Sequence, residues 1–374
     1  MTSRAFYSTL KHIGTTTLAW IVAALLFSLV RLYGVEEELV YTRVAASRSI
    51  WQLILIQGLV AGTAFGIIFG LMERALKHKV FRKTSYAVII LIRLVGHLIF
   101  TLLISSLLFL ISAKMSGQYE IDDVGKFILS SSFSKTAPVI IAYTAFVSIL
   151  FGLIRQTDAM VGSGMLRKLL VGKYHHPKEE ERIFMFLDLK SSTTYAERLG
   201  HILYSELIQD CFYDLTDALQ EHEVEVYQYV GDEAVLTWHI PQGLKNGNCL
   251  GAFFTFEQTI QARADYYFNK YDLVPVFKAG GNMGLVMTAE VGVVKKEIAY
   301  HSDVLNTAAR IQSCCNPLGH RLLISEYLYN QLPMLPDYKF EEVGAVSLKG
   351  KMQKVNIFSV EPTTPLEHKF EFSE

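Results

Sequence analysis

Residues 183–193 read IFMFLDLKSST, in which an apolar run ends at Asp188 and hydroxyl side chains follow. The unbroken apolar run predicts a buried β-strand, and leucines at helical spacing predict a helix from about Thr193 to His222. Backbone N–H groups at a helix N-terminus bind phosphate, and a carboxylate beside them can hold the cation that neutralises it. Taken alone, an aspartate before Ser or Thr is more often an ordinary helix cap.

A second aspartate, Asp232, lies in the sequence VGDE at residues 230–233. The alternating runs on either side, 224–230 and 234–238, predict a tight β-hairpin with the Gly-Asp pair at its tip. Folding could bring the Asp188 and Asp232 carboxylates to one edge of a sheet. Two carboxylates at that edge would suit a hard divalent cation such as Mg²⁺ or Mn²⁺.

A third motif, SDVLNTAAR at residues 302–310, has helical spacing. Asn306 and Arg310 are four residues apart and therefore share one helix face. Either residue alone could belong to any solvated helix face. Together with two metal-binding carboxylates, an amide and a guanidinium indicate phosphate chemistry.

The N-terminal part of the chain differs from the rest in composition. Of the 374 residues 51% are hydrophobic, and the excess is concentrated before residue 157. Four apolar stretches are long enough to cross a bilayer, and they lie at 13–33, 51–72, 86–112 and 136–155. The first is too long for a cleavable signal peptide and lacks a small-residue cleavage site. We therefore expect an all-α transmembrane domain of four helices.

Loop charges predict the orientation of this domain. Basic residues crowd the link between the second and third stretches at 74–83, whereas the other two links carry acidic residues at 36–38 and 120–123. The positive-inside rule then places both termini, and the whole C-terminal half, in the cytoplasm. We expect a multi-pass protein of the inner (plasma) membrane.

Two features of the membrane half are candidates for function. The second span has glycines at a spacing of four, which permits close packing within the bundle or between two chains; they are Gly58, Gly62, Gly66 and Gly70. The third span has Arg93 and His97 on one face, and ionisable residues inside a membrane are functional candidates. His97 is either an interhelical contact or part of a site for an unknown ligand.

The remainder reads as a connector interrupted by glycines and a domain of mixed strands and helices, in which a second long helix is predicted from about Asn248 to Asn269. The predicted division is a transmembrane domain at 1–156, a connector at 157–177, a catalytic domain at 178–362 and a tail at 363–374. The order of strands and helices after residue 178 predicts an α+β domain, a largely antiparallel sheet covered by helices. All four cysteines lie in this half without a Cys-x-x-Cys pair, so we expect free thiols rather than zinc. No basic patch for nucleic acid is present.

The motifs together resemble those of the class III nucleotidyl cyclases, the adenylate and guanylate cyclase family. The matching pieces are FLDL at 186–189, YVGD at 229–232, NTAAR at 306–310 and LKGK at 348–351. The resemblance extends from about Arg182 to Val360, and the four spans resemble a bacterial membrane-anchored subgroup. It implies a ferredoxin-like palm with helices over a mostly antiparallel sheet.

The resemblance implies a metal and phosphate site in one part of the domain. Asp188 and Asp232 would bind two Mg²⁺ or Mn²⁺ ions per active site, assisted by the carbonyl oxygen of Leu189. The helix N-terminus that follows would receive substrate phosphates. Its binding residues would be Ser191, Ser192 and Thr193.

A second set of roles follows from the same resemblance. Asn306 would position the ribose, Arg310 would stabilise charge at the α-phosphorus, and Lys349 would grip the terminal phosphates. In this family these groups and the aspartates come from different subunits. The implied active unit is a head-to-tail homodimer that converts ATP to 3′,5′-cyclic AMP and pyrophosphate.

The chain departs from the family where the purine is selected. Two positions usually select the purine: the residue four before the hairpin aspartate and the residue seven before the asparagine. Adenylate-type enzymes commonly have Lys at the first and Asp, Thr or Ser at the second. Guanylate-type enzymes have Glu at the first and Cys or a small residue at the second. Here the positions hold Gln228, which has both donor and acceptor capacity, and Ala299, which has neither. Ala289 also replaces a usual glycine. ATP is the expected substrate, and GTP in a guanylate cyclase of the same mechanism is the alternative.

Two other functions are weaker alternatives. A diguanylate cyclase would have a Gly-Gly-Asp/Glu-Glu-Phe hairpin, but here Val230 replaces a glycine and Ala234 the Phe. A catalytically silent cyclase-like receptor would normally have lost a metal aspartate or the Asn–Arg pair, and all are present. The membrane half is either a passive anchor or a sensor that dimerises the chains and biases the cyclase dimer between open and closed states.

Overall fold

The computed structural model describes residues 10, 13–30, 48–76, 84–116, 131–162, 164–346 and 354–364. The chain divides into two compact units, Met1–Thr157 and Asp158–Glu374. We describe each unit by itself.

The first unit contains four long apolar helices. They are α1 at Ile13–Val30, α2 at Arg48–Leu76, α3 at Tyr86–Ser116 and α4 at Ser131–Val161. Within the described residues, all four are long and apolar enough to cross a membrane. This confirms the prediction of four apolar helices.

The glycine face of α2 packs against α1 of the same chain. A Cβ atom built on Gly62 would lie 2.6 Å from the Cα of Ile21, and one built on Gly66 would lie 2.3 Å from the Cα of Thr17. Only glycine permits the two helix backbones to approach this closely. Packing within one bundle, one of the two predicted uses of this face, is confirmed.

Polar side chains connect the four helices near one end of the bundle. Glu73 on α2 is 7% exposed and pairs with Arg93 on α3, whose Nε lies 2.9 Å from its Oε1. Arg155 on α4 lies 3.5 Å from the same oxygen and donates a hydrogen bond to Thr16 Oγ1 on α1 at 2.8 Å. Arg93 is therefore part of a structural ion-pair cluster.

His97 lies one helical turn from Arg93, among aromatic rings. It is 2% exposed, and its ring centroid lies 4.6 Å from that of Phe69 and 5.3 Å from that of Trp20. Side chains of the bundle itself therefore surround the imidazole.

The second unit is a sheet covered by helices. Its helices are α5 Met165–Leu170, α6 Ser192–Glu221, α7 Ile240–Leu244, α8 Asn248–Ala262, α9 Ala264–Tyr271, α10 Asp303–Ser313, α11 Cys315–Leu318 and α12 Glu326–Gln331. Its strands are β1 Lys178–Leu189, β2 Glu225–Val230, β3 Glu233–His239, β4 Phe277–Val291, β5 Glu297–His301, β6 Leu322–Ser325, β7 Tyr338–Val346 and β8 Val355–Pro362.

The strand order in the described residues is β2-β3-β1-β4-β6-β8-β7, with β5 paired to β4. β4 and β6 are parallel, and the other pairs are antiparallel. The order β2-β3-β1-β4 is that of a ferredoxin-like palm. The predicted α+β fold with a mostly antiparallel sheet is confirmed.

The two faces of β1 contribute to different cores. Ile183 and its alternate neighbours Met185, Leu187 and Leu189 pack with α6, α8 and α9. Phe184 and Phe186 belong to the opposite face, where they pack in a cluster that includes Ala308 of α10. Asp188 continues this second face because alternate strand residues point the same way.

The connector packs onto the same sheet. Tyr174 is 1% exposed, and Lys168 Nζ lies 2.8 Å from Glu225 Oε1 on β2. Glu225 and Glu180 also hold Arg182, which is fully buried, at 2.9 Å and 3.0 Å. A buried guanidinium with two carboxylates thus links the connector to β1 and β2.

Two helices differ from the sequence prediction. The long helix expected after Asp188 is kinked at Gly200, whose dihedral angles of φ 72° and ψ 168° are not helical. The helix expected from about Asn248 to Asn269 is two helices separated at Arg263. The Arg263 guanidinium pairs with Asp214 and lies 4.3 Å from the centre of the Tyr266 ring, and these contacts favour the break.

Candidate active site

Strand register places the two aspartates at one end of the sheet. Asp188 on β1 pairs with Glu233, the first residue of β3, and Asp232 directly precedes it in the turn. Gly231 has a φ of 61°, a left-handed conformation that glycine adopts without strain and that closes the hairpin. The two carboxylates are therefore near neighbours.

Asp188 is held by two donors on one of its oxygens. Lys278 Nζ on β4 lies 3.2 Å from Asp188 Oδ2, and Gln312 Nε2 on α10 donates a hydrogen bond to the same oxygen at 2.8 Å. Burial raises the pKa of the Asp188 carboxyl and the Asp232 charge adds to this, whereas Lys278 and Gln312 oppose it. These contacts orient the carboxylate and leave its second oxygen for a ligand.

Asp232 has one oxygen without a partner. Its Oδ2 atom is buried and accepts no hydrogen bond from any described residue. Burial, followed by the Asp232 charge, raises the pKa of the Tyr204 hydroxyl on α6 to about 12, so this hydroxyl lies close enough to feel the Asp232 carboxylate. An orphaned carboxylate oxygen is costly unless a cation or a proton neutralises it.

Glu233 adds a third carboxyl to this end of the sheet. Burial, followed by the charges of Asp188 and Asp232, raises the pKa of Glu233 to about 7. The concentration of negative charge favours a bound cation.

The residues present fit a hard divalent metal. Mg²⁺ is commonly held by one or two carboxylates together with substrate phosphate oxygens, which is what Asp188 and Asp232 could supply. No group of three or more His, Cys, Asp or Glu side chains with metal-site geometry occurs among the described residues. The pair therefore needs further ligands such as phosphate oxygens, water or the Leu189 carbonyl.

The turn after β1 leads directly into α6. Ser191 is exposed and has a φ of 59°, and its side chain makes no capping hydrogen bond. Ser192 is half-buried and Thr193 is exposed at the start of the helix. The N–H groups of this first turn lie next to the strand end that carries Asp188 and Leu189.

Asn306 and Arg310 lie on α10, whose N-terminus is capped by Ser302. Asn306 is exposed, and the Arg310 Nη1 atom is buried without a hydrogen-bond partner among the described residues. In the part of the chain that the structure describes, no hydrogen bond or ion pair joins either residue to Asp188 or Asp232. Lys349 lies outside the described residues.

The two positions to which the resemblance assigns purine selection lie on β2 and β5. Gln228 is exposed, and Ala299 is half-buried opposite Ala289. Their chain neighbours Tyr227 and Tyr300 have ring centroids 5.0 Å apart, so the two strands approach each other on one face of the sheet.

Three side chains at the site were not anticipated from sequence. Tyr204, Lys278 and Gln312 contact the aspartates or their neighbours from α6, β4 and α10. Lys278 gives a weak signal, since it is a single charge at the start of a long apolar strand. Tyr204 and Gln312 give none without the fold.

The family described as the adenylate and guanylate cyclase catalytic domain matches residues 175–362, half of the chain. The chain belongs to this family. The matched region contains the whole sheet and both groups of candidate residues.

Individual relatives agree with this assignment. Over 201 residues the chain is 33% identical to adenylate cyclase 2 of Rhizobium meliloti, covering 54% of this chain and 55% of that protein. It is 23% identical to the receptor-type guanylate cyclase gcy-7 of Caenorhabditis elegans, over 49% of this chain and 17% of that one. The chain thus spans about half, or less, of the length of these relatives.

Among solved structures, a bacterial light-regulated adenylyl cyclase matches with a TM-score of 0.50 and 17% identity, covering 61% of this chain and 65% of that one. At this identity the likeness concerns the fold. It agrees with the palm-like sheet described above.

Proposed function

We propose that this protein is a membrane-anchored adenylate cyclase that converts ATP to 3′,5′-cyclic AMP and pyrophosphate. The observation that carries the proposal is the carboxylate pair of Asp188 and Asp232, which includes a buried oxygen without a partner. Its relative in Rhizobium meliloti, named adenylate cyclase 2, supports the choice of ATP.

The proposed metal site consists of Asp188, Asp232 and the Leu189 carbonyl oxygen. Bound Mg²⁺ or Mn²⁺ ions would lower the pKa of the ribose 3′-hydroxyl and neutralise the triphosphate. Asp188 and Asp232 fix the position of that charge, while the first turn of α6, at Ser191, Ser192 and Thr193, receives phosphate oxygens. The residues contribute positioning and electrostatics rather than covalent chemistry.

The proposed second half-site consists of Asn306 and Arg310 on α10 together with Lys349. Asn306 positions the ribose, Arg310 stabilises charge at the α-phosphorus, and Lys349 holds the terminal phosphates. Because α10 makes no described contact from Asn306 or Arg310 to the aspartates, we propose that these residues complete the site of a second copy. The active unit is then a head-to-tail homodimer with two equivalent sites.

Base recognition rests on Gln228 and Ala299. Gln228 is exposed, so its amide is accessible to a purine edge. The amide has both a donor and an acceptor, and therefore GTP is the second candidate substrate. The test below separates the two.

We propose the domain order given by the sequence, with a membrane domain at 1–156, a connector at 157–177, the cyclase domain at 178–362 and a tail at 363–374. The catalytic unit and both termini lie on the cytoplasmic side of the inner membrane, as the loop charges indicate. The partners are ATP, the bilayer and a second copy of the chain, with an unknown membrane-domain ligand as a further candidate.

The test is product analysis on the purified full-length protein. ATP and GTP are supplied separately with Mn²⁺ or Mg²⁺, and the products are separated by chromatography. We expect cyclic AMP from ATP, at a rate at least about a hundredfold above that of the Asp232→Ala variant.

The exposed carboxylate Asp217 on α6 provides the matched control, and Asp217→Ala should retain wild-type rates. Cyclic GMP alone would transfer the assignment to guanylate cyclase with the same mechanism. No product from either nucleotide in a verified dimer would contradict the enzyme assignment.

A further inference from the structure

Asp188 receives one of its two donors from the helix that carries the second half-site. Gln312 is 5% exposed, and its side-chain amide donates to Asp188 Oδ2 at 2.8 Å. Lys278 approaches the same oxygen from β4. A buried neutral amide adds no charge to the site, so its contribution is to fix the direction of the carboxylate.

The position of Gln312 is fixed by contact between backbones. A Cβ atom at Gly280 of β4 would lie 2.1 Å from the Gln312 backbone nitrogen and 2.6 Å from the Ala308 carbonyl oxygen. No side chain therefore separates α10 from β4 at this point. Since β4 pairs with β1, the place of the Gln312 amide over Asp188 depends directly on where α10 lies on β4.

The start of α10 is joined to the same strand by hydrogen bonds. Asn282 Nδ2 donates to the Val304 carbonyl at 3.1 Å, and Ser302 Oγ donates to the Leu285 carbonyl at 2.9 Å. The 11-residue helix is thus attached to β4 at both ends.

Asn306 and Arg310 belong to this helix as well. Gln312 follows Arg310 by two residues, about 3 Å along the helix axis. A short helix moves as one body, so a force applied to Asn306 or Arg310 displaces Gln312 too. The side of α10 at Asn306 is exposed, whereas Gln312 points into its own chain.

We propose that Gln312 is a positioning residue for Asp188, and that through it α10 couples the two active sites of the homodimer. This inference rests on the proposed function, in which Asn306 and Arg310 act on nucleotide bound at the partner's aspartates. Nucleotide that engages them in one site shifts α10 and changes the orientation of Asp188 in the other site. Such a link is a coupling free energy between two distinct sites.

The first readout is binding of Mn²⁺ alone to the full-length dimer, followed by electron paramagnetic resonance. Gln312→Met keeps the size of the side chain and removes the donor, and Gln312→Asn keeps an amide that is one methylene too short. We expect both variants to raise the Mn²⁺ dissociation constant about tenfold, as loss of a partner that orients a ligand does. Ser313→Ala, an exposed change on the same helix, should leave it within about twofold.

The second readout is binding of an unreactive ATP analogue with a methylene group between the α- and β-phosphorus atoms. We expect a wild-type Hill coefficient different from one, and a value of one in both Gln312 variants. Unchanged Mn²⁺ affinity in both variants, or the same Hill coefficient in all proteins, would overturn the inference.

The Asp188→Ala variant separates this inference from the proposed function. If the wild-type protein binds no more Mn²⁺ than Asp188→Ala, the proposed metal site itself is wrong. If the wild type binds Mn²⁺ through Asp188 and Gln312→Met binds it equally well, only the role of Gln312 is wrong. Light scattering establishes that each variant is a dimer, and circular dichroism establishes that it is folded.

Discussion

At the residue scale, the balance of charge differs between the two ends of β1. Asp188, Asp232 and Glu233 lie together at one end, where burial and like charges raise the pKa of Glu233 to about 7. At the other end Glu180 lies among cationic and hydroxyl donors. At the first end the Lys278 ammonium faces three carboxyl groups, whereas at the second end Lys173, Tyr174 and Arg182 surround the single carboxylate of Glu180.

Glu180 gives a prediction for acid stability. Burial alone would raise the pKa of Glu180, but hydrogen bonds from Lys173, Tyr174 and Arg182 outweigh burial and lower it from 4.5 to about 2. The resulting stabilisation is complete above about pH 4.5 and is lost as the pH falls through about 2. A shift of this size corresponds to about 3 kcal/mol.

We expect Glu180→Gln to lower the thermal unfolding midpoint at neutral pH and to reduce its dependence on pH below about 4.5. Near-ultraviolet circular dichroism of the detergent-solubilised protein measures the midpoint across this range. The exposed neighbour Glu179 provides the control, and Glu179→Gln should follow the wild-type curve. The same acid dependence in Glu180→Gln and wild type would show that another carboxyl is responsible.

Sequence predicts only some of the candidate site, and the reason is sequence separation. Asp188 and Asp232 each end a recognisable local pattern, and Asn306 and Arg310 share a helical one. Gln312 is 124 residues from Asp188. Its contact depends on how α10 crosses β4, which no local pattern encodes.

At the element scale, α10 is positioned by the strand beneath it. Gly280 allows direct backbone contact with α10, while its neighbour Gly281 points to the opposite face of β4, toward Ile324 and Leu328. Substitutions at these two adjacent glycines therefore probe opposite faces of the same strand.

We expect Gly280→Ala to displace α10, because its Cβ would lie 2.1 Å from the Gln312 backbone nitrogen. The overpacking should cost about 1–3 kcal/mol of stability. Turnover should fall about a hundredfold, because a displacement of about 1 Å at catalytic groups has that effect. Initial rates at saturating nucleotide and unfolding midpoints measure the two effects.

The matched control is Gly281→Ala, whose Cβ would meet the Ile324 Cγ2 atom at 3.2 Å and the Leu328 Cδ2 atom at 3.3 Å. These side-chain ends can move by a few tenths of an ångström, and α10 is not touched. Equal losses of turnover in the two variants would contradict a specific role for the contact of α10 with β4.

Elements with strong patterns are the ones that sequence predicts well. The apolar run predicted as a strand is β1 in the structure, and the alternating runs predicted as a hairpin are β2 and β3. Burial of one or both faces of a strand gives its sequence this recognisable periodicity. The break at Arg263 was not predicted, since the residues around it favour a helix and the tertiary contact with Asp214 overrides them. The connector reads as a glycine-interrupted linker, yet Tyr174 is buried. Its hydroxyl donates a hydrogen bond to Glu180, and β1 must fold to bring that carboxylate into place.

At the scale of the whole molecule, no hydrogen bond or ion pair among the described residues joins Asn306 or Arg310 to Asp188 or Asp232 of the same chain. The aspartates have an unpartnered carboxylate oxygen, and Arg310 has a buried nitrogen without a partner among the described residues. The proposed homodimer would bring these opposite charges together between two copies related by a two-fold axis. The glycine face of α2 is covered by α1, so this face does not supply the contact between chains.

The central claim is that each active site is made from two chains, and complementation between inactive variants tests it most directly. Asp232→Ala and Arg310→Ala, with different affinity tags, are produced separately and together, and cyclic AMP formation is measured. We expect each variant alone to be inactive and the mixture to reach about a quarter of wild-type activity, because half of randomly formed dimers are mixed and each has one intact site. An inactive mixture in which mixed dimers are isolated through both tags would contradict the shared site.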